Sequence, residues 1–469
     1  MIHSMNTNIS RAPKIGVGII AEYNPFHNGH ALHIERTRLA LGPAPIVIVL
    51  SSCFSQRGEA TVADKWTRAR MALSNGVSLV LELPFAFACN AAPEFARGAI
   101  DILAATGLVT HLSFGMENPF KLKTENSFQC KSENPAPKAT MFDIETILGI
   151  LMQEPPSFKL NLKKNLDSGQ SYPKAIAGAL SREVPGGDSP AFAPNDTLAL
   201  ACLLHIRRKR NGLIPLPIQR EGAGYHDAEP GFLPGLPGLA SATAIRRALM
   251  TDKAWVNEAC MNETQNESRA EESWLNEAMP ASSLEFLWAE RKRGRLCLGT
   301  DRLWTLLRGV LNRSSREDLR RCAGMDEGLE NLFLKHYVRA NSYEDFIGRC
   351  VSARYTRSRI QRQTIRLLAG LDRWTALMLS RCGPSFIRVL GYDERGRELL
   401  RAGRKTASVP LITRPGAVSD PVGRASADVE FRASRLRELL LPSPDLQYDE
   451  RQKPISPRLP HPPPFERGG

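Results

Sequence analysis

Short apolar runs and longer segments with helical spacing alternate along the first quarter of the chain. Apolar runs of this length are typical of strands buried on both faces, and they lie at Ile15–Tyr23, Ile46–Leu50, Leu79–Leu83 and Leu112–Phe114. The segments between them carry apolar residues at helical spacing and lie at His30–Leu41, Val62–Leu73 and Pro93–Ala105. This alternation predicts βαβ units with right-handed connections, so the fold class is α/β with a Rossmann-like parallel sheet.

Farther along, the pattern predicts more helices and one further strand. The predicted helices lie at Phe142–Gln153, Tyr172–Leu180, from Pro194-Asn-Asp196 to Arg210, and Ser241–Leu249. The strand, Leu213–Gln219, contains two prolines, which restrict it to an edge or a terminal position in a sheet. Arginine-rich helices follow at Leu303–Arg313, Glu317–Cys322, Glu327–Ala340 and Tyr355–Leu371.

These patterns predict a nucleotide-binding α/β domain followed by a mostly helical domain. The first domain spans residues 15–250 and contains a polar, proline-bearing insertion at 118–139. Residues 251–280 are a polar linker, and residues 281–400 form the helical domain. The N-terminus, 1–14, is expected to be disordered, and so is the end of a proline-rich C-terminal extension, 401–469.

Composition narrows the class of protein. The 469 residues are 42% hydrophobic and 24% charged, and no run reaches the roughly eighteen apolar residues of a membrane helix. The polar N-terminus lacks the apolar stretch of a signal peptide, and none of the nine cysteines forms a C-x-x-C pair, so we expect a cytoplasmic protein without a disulfide framework or zinc site. A formal net charge of +13 favours polyanionic partners such as nucleic acid.

The stretch from Glu22 to His30 places two histidines where the first strand turns into a helix. Ligands of open α/β folds bind at the carboxyl ends of the strands, and a helix N-terminus favours phosphate. His27 and His30 could then bind an α-phosphate and stabilise charge as pyrophosphate leaves. The alternative is a capped helix start with two surface histidines.

Two stretches resemble a known superfamily. His27-Asn-Gly-His30 is similar to the H-x-G-H signature of nucleotidyltransferases and class I aminoacyl-tRNA synthetases, and Ser241-Ala-Thr-Ala-Ile-Arg246 resembles their second signature. The fuller stretch from Gly18 to His30 resembles the bacterial tRNA(Met) cytidine acetate ligase family. Further stretches agree with that family: Gln56-Arg-Gly-Glu59, Asp64-Lys65, Glu82-Leu-Pro84, Pro194-Asn-Asp196, Tyr225-His-Asp227, Glu327-Gly-Leu-Glu-Asn331, Arg354-Tyr-Thr-Arg357 and Arg388-Val-Leu-Gly391. The likeness covers about residues 15 to 400.

The resemblance implies a nucleotidyltransferase-type ligase that activates acetate with ATP as acetyl-adenylate and acetylates the wobble cytidine of elongator tRNA(Met). It implies His27 and His30 as catalytic residues. The ATP contacts that it implies are Ile20, Ala21, Glu22, Tyr23, Asn24, Pro25, Phe26, His27, Asn28, Gly29, His30, Ala31, Leu32, His33, Gly115, Asn195, Arg220, Glu221, Ser241, Thr243 and Arg246. We expect Mg²⁺ with the phosphates and identify no metal-ligating residues.

The sequence departs from the family pattern at three places. Met116-Glu117 follows Gly115 where Ser-Glu is expected, so the loop there is expected to differ locally. The insertion at 118–139 is longer than expected, and the tail after about residue 400 has no recognised counterpart.

Four arginines and a tyrosine lie within nine residues, and they predict a tRNA-binding segment: Arg354, Tyr355, Arg357, Arg359 and Arg362. Arginines spaced i, i+3 line a stripe suited to phosphates, and the tyrosine could stack on an unpaired base. Further positive charge lies nearby in sequence at Arg313, Arg316, Arg320 and Arg321. The alternative is a solvated helix face paired with acidic neighbours.

Two other functions remain open at this point. A small-molecule adenylyltransferase of nucleotide-cofactor synthesis would share both signatures but gives no reason for the basic second half. A non-catalytic RNA-binding protein on the same fold would have no need of His27, His30 and Arg246.

Overall fold

The computed structural model describes residues 16–117, 144–184, 194–219, 239–250 and 274–457. The predicted N-terminal segment, the insertion at 118–139 and most of the linker lie outside these ranges. One seven-stranded sheet organises the described chain, in the order β5-β4-β1-β2-β3-β6-β7. Its strands are β1 Gly16–Ala21, β2 Ile46–Ser51, β3 Leu79–Leu83, β4 Val109–Met116, β5 Ile214–Gln219, β6 Ile387–Tyr392 and β7 Leu411–Ile412.

Helices connect and cover the strands. Those of the first half are α1 Asn28–Leu41, α2 Lys65–Ser74, α3 Phe85–Ala88, α4 Ala92–Thr106, α5 Ile144–Gln153, α6 Pro156–Asp167, α7 Tyr172–Leu180, α8 Pro194–Lys209 and α9 Ala242–Leu249. Those of the second half are α10 Ala281–Lys292, α11 Asp301–Arg313, α12 Arg316–Arg320, α13 Leu329–His336, α14 Tyr343–Cys350, α15 Arg357–Leu368, α16 Arg373–Cys382, α17 Glu394–Thr406, α18 Pro421–Leu439 and α19 Tyr448–Arg451. No helix among the described residues is long and apolar enough to span a membrane.

The predicted parallel sheet is confirmed. β1 pairs in parallel with β2 and β4, and β2 pairs in parallel with β3. Every residue of β2 is buried because helices cover both faces of the sheet. β5 lies at the edge beside β4, as Pro215 and Pro217 require. The carboxyl ends of these strands therefore meet at one edge, where the histidine stretch begins.

The far side of the sheet differs from the prediction. β6 pairs antiparallel with β3, with Leu79 opposite Tyr392, and β7 extends the sheet beyond it. The region predicted as helical therefore returns to the sheet, because the open edge of β3 is covered by a strand from far along the chain. The predicted domain boundaries stay a prediction.

Residues beyond 401 are anchored by buried charges. Lys65 Nζ lies 2.7 Å from Glu430 Oε1 on α18 and 2.8 Å from Asp449 Oδ2 on α19, and it also pairs with Glu82. Arg388 of β6 donates to Asp449 Oδ2 at 3.1 Å. All five side chains are nearly inaccessible to solvent. The C-terminal helices are therefore joined to the first half of the chain by ion pairs in the protein interior.

The network shifts the pKa of its acids in opposite directions. Burial raises the pKa of Glu82 to about 7, and the neighbouring Glu430 adds to the increase. The pKa of Asp449 is lowered despite its burial, because Lys65 and Arg388 both stabilise the carboxylate. Glu82, Glu430 and Asp449 are close enough to share a metal ion, but the ammonium of Lys65 bonds to all three. The cluster is therefore neutralised by protein cations.

The absence of a disulfide framework or zinc site, expected from the spacing of the cysteines, stays a prediction. All cysteines in the described ranges are free, and six of these seven are buried. Cys130 and Cys260 lie outside the described residues.

Candidate active site

The loop after β1 is held in a fixed conformation at the carboxyl edge of the sheet. Tyr23 has a positive φ of 44°, and the peptide bond between Asn24 and Pro25 is cis. Asn24 Oδ1 accepts a hydrogen bond of 2.8 Å from the backbone N–H of Val62. The buried guanidinium of Arg68 binds the carbonyls of Glu22 and Ser51. The loop is therefore bonded both to the start of α2 and to the end of β2.

His27 and His30 cap the start of α1 reciprocally. His27 Nδ1 accepts from the N–H of Gly29 at 3.1 Å, and His30 Nδ1 accepts from the N–H of His27 at 3.2 Å. The rings stack with centroids 3.8 Å apart, and His30 also lies against Tyr23 at 4.6 Å. Because a backbone N–H donates to each Nδ1, each neutral ring carries its proton on Nε2. Both rings line a cavity, so each presents a nitrogen suited to donate to an anionic oxygen.

Arg246 joins the two predicted signatures. Its Nη1 donates to the carbonyl of Asn24 at 3.1 Å, and its Nη2 donates to Thr243 Oγ1 at 3.2 Å. Ser241 Oγ accepts from Ala244 N at 3.1 Å and so begins α9 at the cavity wall. A helix N-terminus and a guanidinium thus lie beside the histidine loop, which is the arrangement that phosphate groups favour.

The end of β4 meets the start of α8 on the other side. The N–H of Glu117 donates to Asp196 Oδ1 at 2.9 Å, and Asn195 Nδ2 donates to the carboxylate of Glu117. Gly115 and Asn195, both predicted from the sequence, are brought together here. Met116, the residue that departs from the family pattern, is buried and does not line the cavity.

A third loop completes the site, and its residues were not among those predicted for the site. Residues 55–59 follow β2, and four of them, Ser55, Gln56, Arg57 and Glu59, line the cavity. The N–H of Gln56 donates to Glu22 Oε1 at 2.6 Å, and Glu59 lies 3.6 Å from Arg246. The signal was present in the sequence, since Gln56-Arg-Gly-Glu59 follows a parallel strand at the same edge as the histidines.

Burial raises the pKa of Glu22. The hydrogen bond from Gln56 and the charge of Arg246 oppose that increase, whereas the charge of Glu59 adds to it. Desolvation is therefore the largest influence on the pKa of the Glu22 carboxyl group.

The cavity has a volume of about 430 Å³, within the usual range for small-molecule sites. The predicted residues that line it are Ile20, Ala21, Glu22, Tyr23, Asn24, His27, Gly29, His30, Leu32, His33, Gly115, Asn195, Ser241, Thr243 and Arg246. The wall also includes residues that were not predicted: Ile19, Arg36, Phe95, Phe114, Glu117, Leu198, Ala199, Cys202, Ile218, Gln219, Leu239, Ala240 and Ala242.

Four predicted contacts do not line the cavity. Phe26 is fully buried and packs edge-on against Tyr23, with centroids 4.7 Å apart. Asn28 donates to the carbonyl of Glu277, while Pro25 and Ala31 support the turn and the first helix. The motif alone could not show which of its consecutive residues line the cavity and which lie behind the cavity wall. Arg220 and Glu221 lie outside the described residues.

The arginine-rich segment is engaged by acidic neighbours. Arg357 pairs with Glu344, while Arg354 lies 3.7 Å from Glu327 and Arg359 lies 3.0 Å from the same carboxylate. These contacts are the ones expected of a solvated helix face paired with acidic neighbours. Arg354 and Arg357 are still about half exposed, at 53% and 49% of their side chains.

Tyr355 and Arg362 of this segment point inward. Tyr355 is buried, and its hydroxyl donates to the carbonyl of Glu327. Arg362 donates to the carbonyl of Gln56 at 3.1 Å, and burial lowers its pKa to about 10, with Arg366 adding to the decrease. Tyr355 therefore lacks the exposed ring that base stacking requires, and the half-buried Arg362 is already bonded to the carbonyl of Gln56. The role of this segment in tRNA binding stays a prediction, and Arg354 and Arg357 are its best candidates for phosphate contact.

Comparison with known proteins agrees with this geometry. A family model described as HIGH nucleotidyl transferase matches residues 15–452. A tRNA(Met) cytidine acetate ligase of Acetivibrio thermocellus is 31% identical over 91% of this chain and 95% of its own length. One of Caldicellulosiruptor saccharolyticus is 33% identical over 93% of this chain and 98% of its own. The chain belongs to this family.

Two solved structures support the assignment of the chain to this family. The apo crystal structure of Thermotoga maritima TmcAL superposes with a TM-score of 0.77 at 28% identity, covering 94% of this chain and 99% of that one. A second Thermotoga maritima structure, with alpha-thio ATP bound, matches equally well.

The family match extends beyond residue 400, where no counterpart was recognised from the sequence, and that expectation was wrong. The physical reason is that α18 and α19 contain many charged residues, which are typical of an exposed surface. In the fold, Glu430 and Asp449 pair with Lys65 in the interior.

Proposed function

We propose that this chain is an ATP-dependent ligase that acetylates the wobble cytidine of elongator tRNA(Met), forming N4-acetylcytidine. One observation supports it most: Arg246 bonds to the carbonyl of Asn24, so both nucleotidyltransferase signatures face one cavity at the carboxyl edge of the sheet. The known relatives that match over nearly the whole chain bear the name of this activity.

ATP binds with its α-phosphate at the histidine pair. The Nε2–H groups of His27 and His30 donate to the phosphate oxygens, and Arg246 with the start of α9 binds the β- and γ-phosphates. Asn195 and the end of β4 hold the nucleoside. Arg220 and Glu221 belong to the same site by their place in the family pattern.

Mg²⁺ would accompany the triphosphate and offset part of its negative charge. The three carboxylates at the described cavity wall are each bonded to protein groups: Glu22 to Gln56, Glu59 to Arg246, and Glu117 to Asn195. This donor set fits a cation carried by the phosphates better than one held in a protein cage.

The reaction runs in two steps. An acetate oxygen attacks the α-phosphorus, and pyrophosphate leaves with its electron pair. The exocyclic amine of cytidine then attacks the acetyl carbon of acetyl-adenylate, loses a proton and expels AMP. Donors fixed before the reaction stabilise the charge that develops on the phosphate in the first step.

The helical region, residues 281–400, binds the tRNA, with Arg354 and Arg357 at phosphates. This division assigns acetate activation to the first domain and RNA binding to the second. Both steps take place in the cytoplasm, where ATP and tRNA are present together.

An exchange assay tests the proposal. Labelled pyrophosphate should enter ATP only when acetate is present, and adding tRNA should lead to acetylated tRNA and AMP. A small-molecule adenylyltransferase would exchange with a nucleotide substrate instead of acetate, and a non-catalytic RNA-binding protein would bind tRNA without any exchange.

A further inference from the structure

Trp374 lies at the first turn of α16 with most of its indole in solvent. It is 74% exposed, whereas Trp66 and Trp304 are buried. Its backbone is fixed, because Asp372 Oδ1 accepts from the N–H of Trp374 and of Thr375, each at 2.9 Å. Among the described tryptophans, Trp374 is the one with an exposed ring, and it lies on a helix start whose backbone is fixed.

Exposed arginines lie on the same helix and on its neighbour. The N–H of Arg373 donates to the carbonyl of Arg321 at 2.7 Å, so the end of α12 and the start of α16 lie side by side. The Arg321 side chain is 79% exposed, and Arg373 and Arg381 are exposed on α16. We define the Trp374 patch as Arg320, Arg321, Arg373, Trp374 and Arg381.

Three of the acids near the patch are already engaged, and Glu317 on α12 is exposed. Asp318 lies 3.8 Å from Arg321 one helical turn away, which is a weak surface pair. Glu330 is buried and binds Arg320 at 2.9 Å, and Asp372 caps α16. The patch therefore presents a flat aromatic ring on the same two helices as three exposed arginines, Arg321, Arg373 and Arg381.

This chemistry selects one kind of partner. An aromatic ring flanked by arginines binds unpaired bases by stacking and the adjoining phosphates by charge. Tyr355, the aromatic residue predicted for this role, is buried. Among the described residues of the helical region, Trp374 is the aromatic residue exposed enough to stack on a base. Tryptophan and arginine are also enriched at protein interfaces, so a protein contact is the competing outcome of the test.

We propose that the Trp374 patch binds a single-stranded part of the tRNA substrate, with one base stacked on the indole and phosphates at Arg321 and Arg373. This inference rests on the proposed function and adds the surface that grips the RNA.

The test compares Trp374→Leu with Trp374→Phe, and uses Tyr172→Leu as a matched control. Tyr172 is another largely exposed aromatic, on α7. Tyrosine-to-leucine there should leave tRNA affinity unchanged. Trp374→Leu should weaken tRNA binding roughly tenfold or more, and Trp374→Phe should weaken it less because a ring remains. Acetate-dependent exchange should be unchanged in all three.

A charge variant provides a second readout. Replacing Arg321 and Arg373 by glutamine should reduce the slope of log affinity against log salt by about 1.4, roughly 0.7 for each single-strand phosphate that the pair neutralises. Wild-type tRNA affinity and salt slope in all the patch variants would overturn the proposal. A change in self-association without a change in tRNA affinity would also overturn it and assign the patch to a protein contact. Failure of the wild-type chain to acetylate tRNA would instead refute the proposed function.

Discussion

His27 and His30 each hold the start of α1 through Nδ1 and line the cavity with the rest of the ring. The two roles can be separated by substitution. Asparagine is a good N-cap residue, so His27→Asn should keep the helix start while removing the Nε2–H donor. We expect acetate-dependent exchange to fall roughly a hundredfold, equivalent to about 3 kcal/mol of transition-state stabilisation. The midpoint of thermal unfolding should stay close to that of the wild type.

His27→Ala serves as the comparison, because it loses both the cap and the donor. It should be as inactive as His27→Asn and less stable by about 1 kcal/mol. Full exchange activity in His27→Asn would show that the imidazole acts only as a cap.

Arg246 should be sensitive to a change that keeps its charge. Arg246→Lys loses the fork that reaches the carbonyl of Asn24 and Thr243 together. We expect KM for ATP in the exchange assay to rise roughly tenfold or more, because the substitution removes hydrogen bonds from a charged group. The neighbouring exposed Arg247 provides the matched control, and Arg247→Lys should leave KM unchanged. Equal effects of the two substitutions would contradict the role assigned to Arg246.

At the scale of elements, α15 and the turn before it carry the predicted RNA contacts. Replacing Arg354 and Arg357 by glutamine should weaken tRNA binding and lower the salt slope by about one for each arginine that neutralises a phosphate, while exchange stays normal. The control pair is Lys159→Gln with Arg207→Gln, since both are exposed cations paired with acids in the first half. Unchanged tRNA affinity, or equal decreases in affinity and exchange, would mean that Arg354 and Arg357 serve the fold.

Local patterns were enough to predict the strands and helices that build the site. Apolar runs indicated β1 to β4, and two prolines placed β5 at an edge. The histidine loop and Ser241–Arg246 were predicted from motif and position. These features depend on neighbours in sequence or on a regular sheet.

The features that local patterns did not predict depend on partners far along the chain. β6 contains a buried arginine, Arg388, which is compensated by Asp449 and Glu82. The position of the Arg362 side chain depends on its hydrogen bond to a carbonyl in the loop after β2. No local pattern reports such pairings, so charged residues in the interior looked like surface.

At the scale of the whole molecule, the buried network should be essential for stability. Asp449→Asn keeps the shape but removes a charge that Lys65 and Arg388 both face. We expect a decrease of about 3–5 kcal/mol in the free energy of unfolding, as for other broken buried pairs. Asp445→Asn removes an exposed pair with Arg451 and should cost less than about 1 kcal/mol. Similar decreases in urea unfolding of the two variants would contradict the buried role.

The same network predicts a dependence on pH. The pKa of Glu82 rises from its ordinary value of 4.5 to about 7 on folding, so the native state holds a proton that the unfolded chain releases. Between those values, stability should fall as pH rises, because the native state binds more protons. Glu82→Gln removes this effect, so the stability of the wild type relative to the variant should decrease from about pH 5 to about pH 7 and then level off. Urea unfolding across this pH range measures it, and a constant difference would contradict the raised pKa.

This chain is proposed to transfer acetate to a tRNA base in a reaction that consumes ATP. The most direct measurement is mass spectrometry of elongator tRNA(Met) after incubation with the purified chain, ATP and isotopically labelled acetate. We expect a labelled acetyl group on the wobble cytidine that requires ATP and is absent with His27→Asn. An unmodified tRNA, with ATP unconsumed or with AMP transferred to a small molecule, would contradict the account.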